Sequence, residues 1–147
     1  MIAIDPARSI DVKGEAFRPD RIGHVLLATD LGDASARATD EAIELAARHH
    51  AVLQILAVAR RHEERAWMER GVRAIRQRAQ ALGVVAASIV WHGDPAEAIL
   101  EAVWTERPDV VVVGSRPSRD LGRVVRGSVS TRVARESPSR VMVVPVV

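Results

Sequence analysis

Residues 110–130 read VVVVGSRPSRDLGRVVRGSVS. The opening valines form a continuous apolar run rather than an alternating one, the pattern of a strand covered on both faces in a parallel sheet. A glycine and a serine close it at Gly114-Ser115, an arginine-rich loop follows, and Gly127-Ser128-Val129-Ser130 leads into a short helix over 128–137. A strand, a loop and a helix in this order make half of a βαβ unit, which needs parallel neighbours.

Those neighbours lie on both sides. HVLLAT (24–29) is an apolar run ending at Asp30-Leu31-Gly32-Asp33, and Asp33 or Ser35 is placed to cap a helix reaching about His50. VLQILAV (52–58) is a second strand. Met68, Val72, Ile75, Ala79 and Leu82 follow at alternating spacings of four and three, which define one face of a helix over 63–82 that Gly83 stops. VVAASIVW (84–91) is a third strand. Asp94 then has the position of an N-cap, with Pro95 at the first helical position and Glu97 completing a capping-box pattern, and Pro108 ends this helix. DVVVVG (109–114) is the fourth strand and RVMVVPVV (140–147) the fifth. The alternation predicts an α/β fold: an open, doubly wound parallel sheet with helices on both faces. Residues 1–21 carry two prolines and no sustained period; they read as an N-terminal extension with a candidate strand at Ile2–Ile4, and 22–147 as the domain.

Bulk composition narrows the function. The 147 residues are 48% hydrophobic but only 3% aromatic, so the core must be made of Val, Ile, Leu and Ala. A net charge of +2 is no signature of nucleic-acid binding, which needs a clustered basic face. With no cysteine there is no thiolate ligand or nucleophile. Neither a transmembrane run nor the basic-then-apolar order of a secretory leader is found, so a cytoplasmic location is expected.

In an open α/β sheet, ligands bind beyond the carboxyl ends of the strands, where the strand order reverses. If that order is 3-2-1-4-5, Asp30 and Gly114 flank one crevice. The start of the 128–137 helix adds an anion site in principle: its first N–H groups have no intrahelical acceptors, and Ser128 and Ser130 add hydroxyls. Arg116, Arg119, Arg123 and Arg126 place positive charge nearby. The plainer reading, a serine cap beside a solvated loop, stays open on spacing alone. Other chemistries find less. There is no G-x-x-x-x-G-K-[ST], and no G-x-G-x-x-G after the first strand. The histidines show no metal-ligand spacing, and no metal site is expected. Asp30 and His92 are the only candidates for a base, and no nucleophile, base and orienting partner assemble into a catalytic set. Trp67, Trp91 and Trp104 stand apart and read as core or interface filler.

HVLLATDLGDASARATDEAIELA, HGDPAEAILEAV and PDVVVVGSR…GSVSTRVARESPSRVMVVPV together resemble the universal stress protein family over about residues 22–147. Members that bind ATP carry G-x2-G-x9-G-[ST]. Gly114 and Gly127-Ser128 fall on its outer positions with the same spacing, and Pro117 replaces the middle glycine. The resemblance implies a five-stranded parallel sheet of order 3-2-1-4-5 and a stress-response regulatory protein acting as a homodimer paired through Val141–Val146. It implies ATP, with Mg as a companion, bound by Ala28, Thr29, Asp30, Val58, Gly114, Ser115, Arg116, Arg119, Gly127, Ser128, Val129 and Ser130. No catalytic residues are implied, and at most a slow ATPase. Proline at 117 removes an N–H and fixes φ, so the family's second type also stays open: an interaction module that binds no nucleotide.

Overall fold

The computed structural model describes residues 10–11, 22–115 and 128–145. In chain order its elements are β1 (Ile10–Asp11), β2 (His24–Ala28), α1 (Ala36–His49), β3 (Val52–Ala59), α2 (Arg65–Ala81), β4 (Ala86–His92), α3 (Pro95–Glu106), β5 (Val110–Ser115), α4 (Ser128–Glu136) and β6 (Arg140–Pro145). Single 3-10 turns at Asp33–Ser35 and His62–Glu64 lead into α1 and α2.

One sheet runs β1-β6-β5-β2-β3-β4. The strands from β2 to β6 are mutually parallel, and in sequence order they give the expected 3-2-1-4-5 arrangement. The addition is β1, which pairs antiparallel on the outer edge of β6, Ile10 opposite Val143 and Asp11 opposite Met142. The anticipated strand at Ile2–Ile4 lies outside the described residues, as do Val146 and Val147 at the end of the fifth run.

The continuous apolar runs have the packing they imply. Alternate residues of each central strand enter two separate cores. Val25, Leu27, Leu53, Ile55, Val110 and Val112 pack against Ala42, Ile43 and Ala46 of α1 and Met68 and Val72 of α2. Leu26, Leu56, Val111, Val113 and Val143 pack on the other face against Ile99 and Val103 of α3 and Val133 of α4. At about 25 cal/mol per Å² of apolar area removed from water, these two layers are the main favourable contribution to the fold. Among the described residues no helix is long and apolar enough to cross a membrane.

Local signals set the boundaries. The Asp94 carboxylate accepts from Glu97 N at 3.0 Å, capping α3 with Pro95 at its first turn. Asp109 ties the amino ends of β2 and β5 together: its Oδ2 accepts from Gly23 N at 2.7 Å and from His24 N at 2.9 Å. Its own N–H donates to His24 O at 2.9 Å. One side chain therefore sets where the two central strands begin. Replacing it by alanine strips acceptors from two backbone donors at an exposed site. Asp109→Ala should lower unfolding free energy by about 1–2 kcal/mol, with Asp109→Asn losing less. A urea midpoint unchanged in the alanine variant would show the clamp to be dispensable.

Candidate functional site

The carboxyl end of β2 supplies the first part of the site. Ala28 and Thr29 are buried, and Thr29 N donates to Leu56 O at 2.9 Å, carrying the parallel ladder one step past the strand. The chain then turns sharply. Thr29 Oγ1 accepts from Leu31 N at 2.9 Å, and Leu31 adopts the left-handed φ of 64°. Asp30 Oδ1 accepts from Gly32 N at 2.8 Å and from the Ser35 hydroxyl at 2.7 Å. Of the two residues the sequence offers as a cap, Asp33 and Ser35, Ser35 takes the position. It holds the N-cap position of α1 without a side-chain cap bond, because its hydroxyl is turned back to the Asp30 carboxylate.

The end of β5 closes on this turn. A Cβ placed on Gly114 would lie 3.1 Å from the Ala34 carbonyl oxygen and 3.3 Å from Ser35 Cα. Both are backbone atoms, and no side-chain rotation can relieve the crowding. Glycine at 114 is what allows β5 to run on beside the Asp33–Ser35 turn.

Between these segments opens a cleft of about 420 Å³. Ala28, Thr29, Asp30, Val58, Gly114, Val129 and Ser130 all line it, residues drawn from β2, β3, β5 and α4 and their adjoining turns. Ser130 is only 4% exposed. Ser115 and Ser128 are not in the lining: Ser115 is buried at the last position of β5, opposite Pro145, and Ser128 is exposed at the first position of α4. Arg116, Arg119, Pro117 and Gly127 lie outside the described residues. His92 ends β4 exposed to solvent and does not line the cleft.

The remaining lining residues come from positions that the sequence reading does not assign to the site. Leu56 and Met68 form an apolar back wall, Pro95 and Ile99 of α3 face in from the other side, and Arg60, Glu64 and Trp67 surround the β3–α2 end. The Glu64 carboxylate accepts from Arg60 N at 3.0 Å and Arg61 N at 2.9 Å, which pins the entry to α2. The usable sequence signal was positional: Arg60 follows a strand at the ligand edge, and Trp67 precedes Met68, which occupies the buried stripe. Trp67 is neither core nor covered by this chain, being 42% exposed. Among the described residues no three His, Asp or Glu side chains converge as metal ligands would.

Known proteins resemble this chain in sequence and in fold. The sequence profile of the universal stress protein family matches residues 21–145. The universal stress protein in the QAH/OAS sulfhydrylase 3'region of Thermus aquaticus is 32% identical over 132 residues, covering 82% of this chain and 96% of the relative. The universal stress protein YxiE of Bacillus subtilis (strain 168) is 30% identical over 143 residues, covering 82% and 97%. Among solved structures, a universal stress protein in complex with cAMP superposes with a TM-score of 0.69 at 28% identity, covering 84% of this chain and 97% of its own. A universal stress protein family protein from Arabidopsis thaliana with AMP bound shares the fold, with a TM-score of 0.63 at 23% identity and coverage of 84% and 91%.

The Gly114 contact is directly testable. Gly114→Ala forces the Ala34–Ser35 backbone to shift, and overpacking of this kind costs about 1–3 kcal/mol. Chemical denaturation should show that loss together with faster exchange of the Gly32 amide, whose acceptor, Asp30 Oδ1, also takes the hydroxyl of the displaced Ser35. Wild-type stability and wild-type exchange would mean that the two segments part without cost.

Proposed function

We propose that this chain, which belongs to the universal stress protein family, is a stress-response regulatory protein that binds an adenine nucleotide, ATP above all, in the cleft between β2 and β5. The observation that carries the reading is the convergence of Asp30, Val58, Gly114 and Ser130 on one cleft. Its size falls within the roughly 300–1,000 Å³ usual for small-molecule sites. The cAMP complex of a relative with 28% identity supports an adenine nucleotide as the ligand class.

Charge decides which part of the cleft takes the phosphates. The described lining sets Asp30 and Glu64 against Arg60 alone, so it offers no surplus of positive charge. That leaves the start of α4, where the first helical N–H groups lack intrahelical acceptors and the dipole is positive. In this reading Gly127, Ser128, Val129 and Ser130 hold phosphate, with Arg116 and Arg119 supplying charge and Mg²⁺ arriving with the phosphates. Ala28, Thr29, Asp30 and Val58 hold the nucleoside, and Ser115 follows Gly114 at the phosphate side. Asp30 acts as an acceptor within its own turn and toward the ligand, and no hydrolytic step is assigned to it. The protein acts in the cytoplasm.

Pro117 is the observation that favours a second reading, an interaction module of the same fold without nucleotide. It removes one potential charge-assisted hydrogen bond, which costs about tenfold to a hundredfold in affinity. Calorimetry on nucleotide-free protein separates the two. Micromolar binding of ATP or AMP that weakens about tenfold in Ser130→Ala is the expected outcome. No heat with any adenine nucleotide sinks the first reading, and recovery of binding in Pro117→Gly would then identify the proline as the cause.

The proposed homodimer through Val141–Val146 meets a geometric condition. β6 pairs with β5 on one side, and β1 takes its other side at Met142 and Val143. An edge-to-edge dimer therefore competes with β1 for the same backbone groups. Removing residues 1–21 should strengthen dimerisation in sedimentation velocity at matched concentration. Equal association by the two proteins would place the dimer contact elsewhere.

A further inference from the structure

The cleft is divided in polarity. Thr29, Asp30, Ser35 and Ser130 lie toward β2, β5 and α4, whereas the β3–α2 side sets apolar Leu56, Val58, Met68 and Trp67 beside the charged pair Arg60 and Glu64. Trp67 is the anomaly. The chain has three tryptophans and one phenylalanine, and this one stands 42% exposed at the cleft. Its neighbour Met68, in contrast, is 4% exposed in the core.

The position of Trp67 is set by its surroundings. Trp67 and Gly71 are four residues apart on α2 and so share a face. A Cβ on Gly71 would lie 2.7 Å from Leu31 Cδ1. The helix thus lies directly on the turn that follows β2, at a distance only glycine permits without moving Leu31. Leu31 is in turn fixed by its N–H bond to Thr29 Oγ1 at 2.9 Å. The other end of this helical segment is held by Glu64, which accepts from Arg60 N and Arg61 N at 3.0 and 2.9 Å. Trp67 lies between these two contacts.

From this arrangement we infer that Trp67 is the outer wall of a nucleobase subsite, where a flat heteroaromatic ring stacks on the indole with Val58 and Met68 behind it. Stacking is the interaction a half-exposed indole at a cleft is suited to supply, and base–aromatic stacking is strong enough to matter for affinity. The assignment orients the ligand: base toward β3 and α2, phosphates toward α4. It rests on the adenine-nucleotide reading and adds to it a residue that lies outside both strand-end turns and the glycine-serine segment.

The test uses the full chain with Trp91→Phe and Trp104→Phe, so that Trp67 is the sole emitting tryptophan. AMP and ribose 5-phosphate are titrated while fluorescence and heat are followed. AMP should alter Trp67 emission, and ribose 5-phosphate, which lacks a base, should not. Trp67→Ala should weaken AMP roughly 10- to 100-fold, while Trp67→Phe retains most of the affinity. If AMP binds with unchanged emission and Trp67→Ala binds it as the wild type does, the base lies elsewhere; this inference is overturned and nucleotide binding stands. An equal emission change with ribose 5-phosphate also overturns it. Absence of AMP binding in the unsubstituted chain overturns both readings together.

Discussion

The close approach of β5 to the turn after β2 is the constraint on which the cleft depends. Gly114 faces backbone atoms of Ala34 and Ser35, and that contact confines the Asp33–Ser35 turn to one path. On that path Ser35 reaches Asp30, and Asp30 also takes the Gly32 N–H. The polar end of the cleft is thus a chain of short local bonds closed by one contact between segments far apart in sequence. A side chain at 114 would meet peptide rather than a flexible tip, so any relief has to come from moving the turn itself.

The sheet's topology explains why this constraint lies where it does. Strands covered on both faces have no room for polar side chains along their length, so chemistry is confined to their ends. At the carboxyl edge, α1 leaves β2 for one face while α4 leaves β5 for the other, as their separate cores show. Adjacent strands whose connections diverge leave a gap between them, which is the general location of ligands in such sheets. The gap has polar turns on one side, and on the other the end of β3 with α2, where apolar Leu56, Val58 and Met68 sit beside charged Arg60 and Glu64. An amphipathic, elongated ligand matches that division better than a uniformly polar one, because each half would otherwise bury groups without partners.

Much of the fold was legible in the sequence, for a physical reason. Fully buried parallel strands leave unbroken apolar runs, and the helices between them carry their own start and stop residues, such as Asp94-Pro95 and Gly83. The strand order and the alternation of cores follow from those runs together with right-handed connections. The strand-end half of the cleft was legible too, since Thr29, Asp30, Val58 and Gly114 are where apolar runs stop. Of the helical half only the start of α4 was, through Val129 and Ser130. Trp67 and Ile99 line the cleft from α2 and α3, and periodicity says which side of a helix is buried but not what a boundary residue overhangs. Ser35 takes the cap position, but cap chemistry and Asp30 compete for its one hydroxyl, and only the path of the turn decides between them. β1 left no signal, since a two-residue pairing is set by tertiary proximity and has no period of its own.

The same logic links the two ends of the molecule's last βα segment. α4 begins at the cleft, where Val129 and Ser130 line it, and ends at Glu136, four residues before β6. The connection is tight: Ser137 N donates to Val133 O at 2.9 Å, and the Ser137 hydroxyl donates to Ser139 O at 2.8 Å while accepting from Ser139 N at 3.1 Å. A turn bonded in this way has little slack, and Val133 anchors the helix in the core above β6. The helix that borders the cleft and the strand that carries β1 on its edge are therefore joined by a short turn bonded within itself.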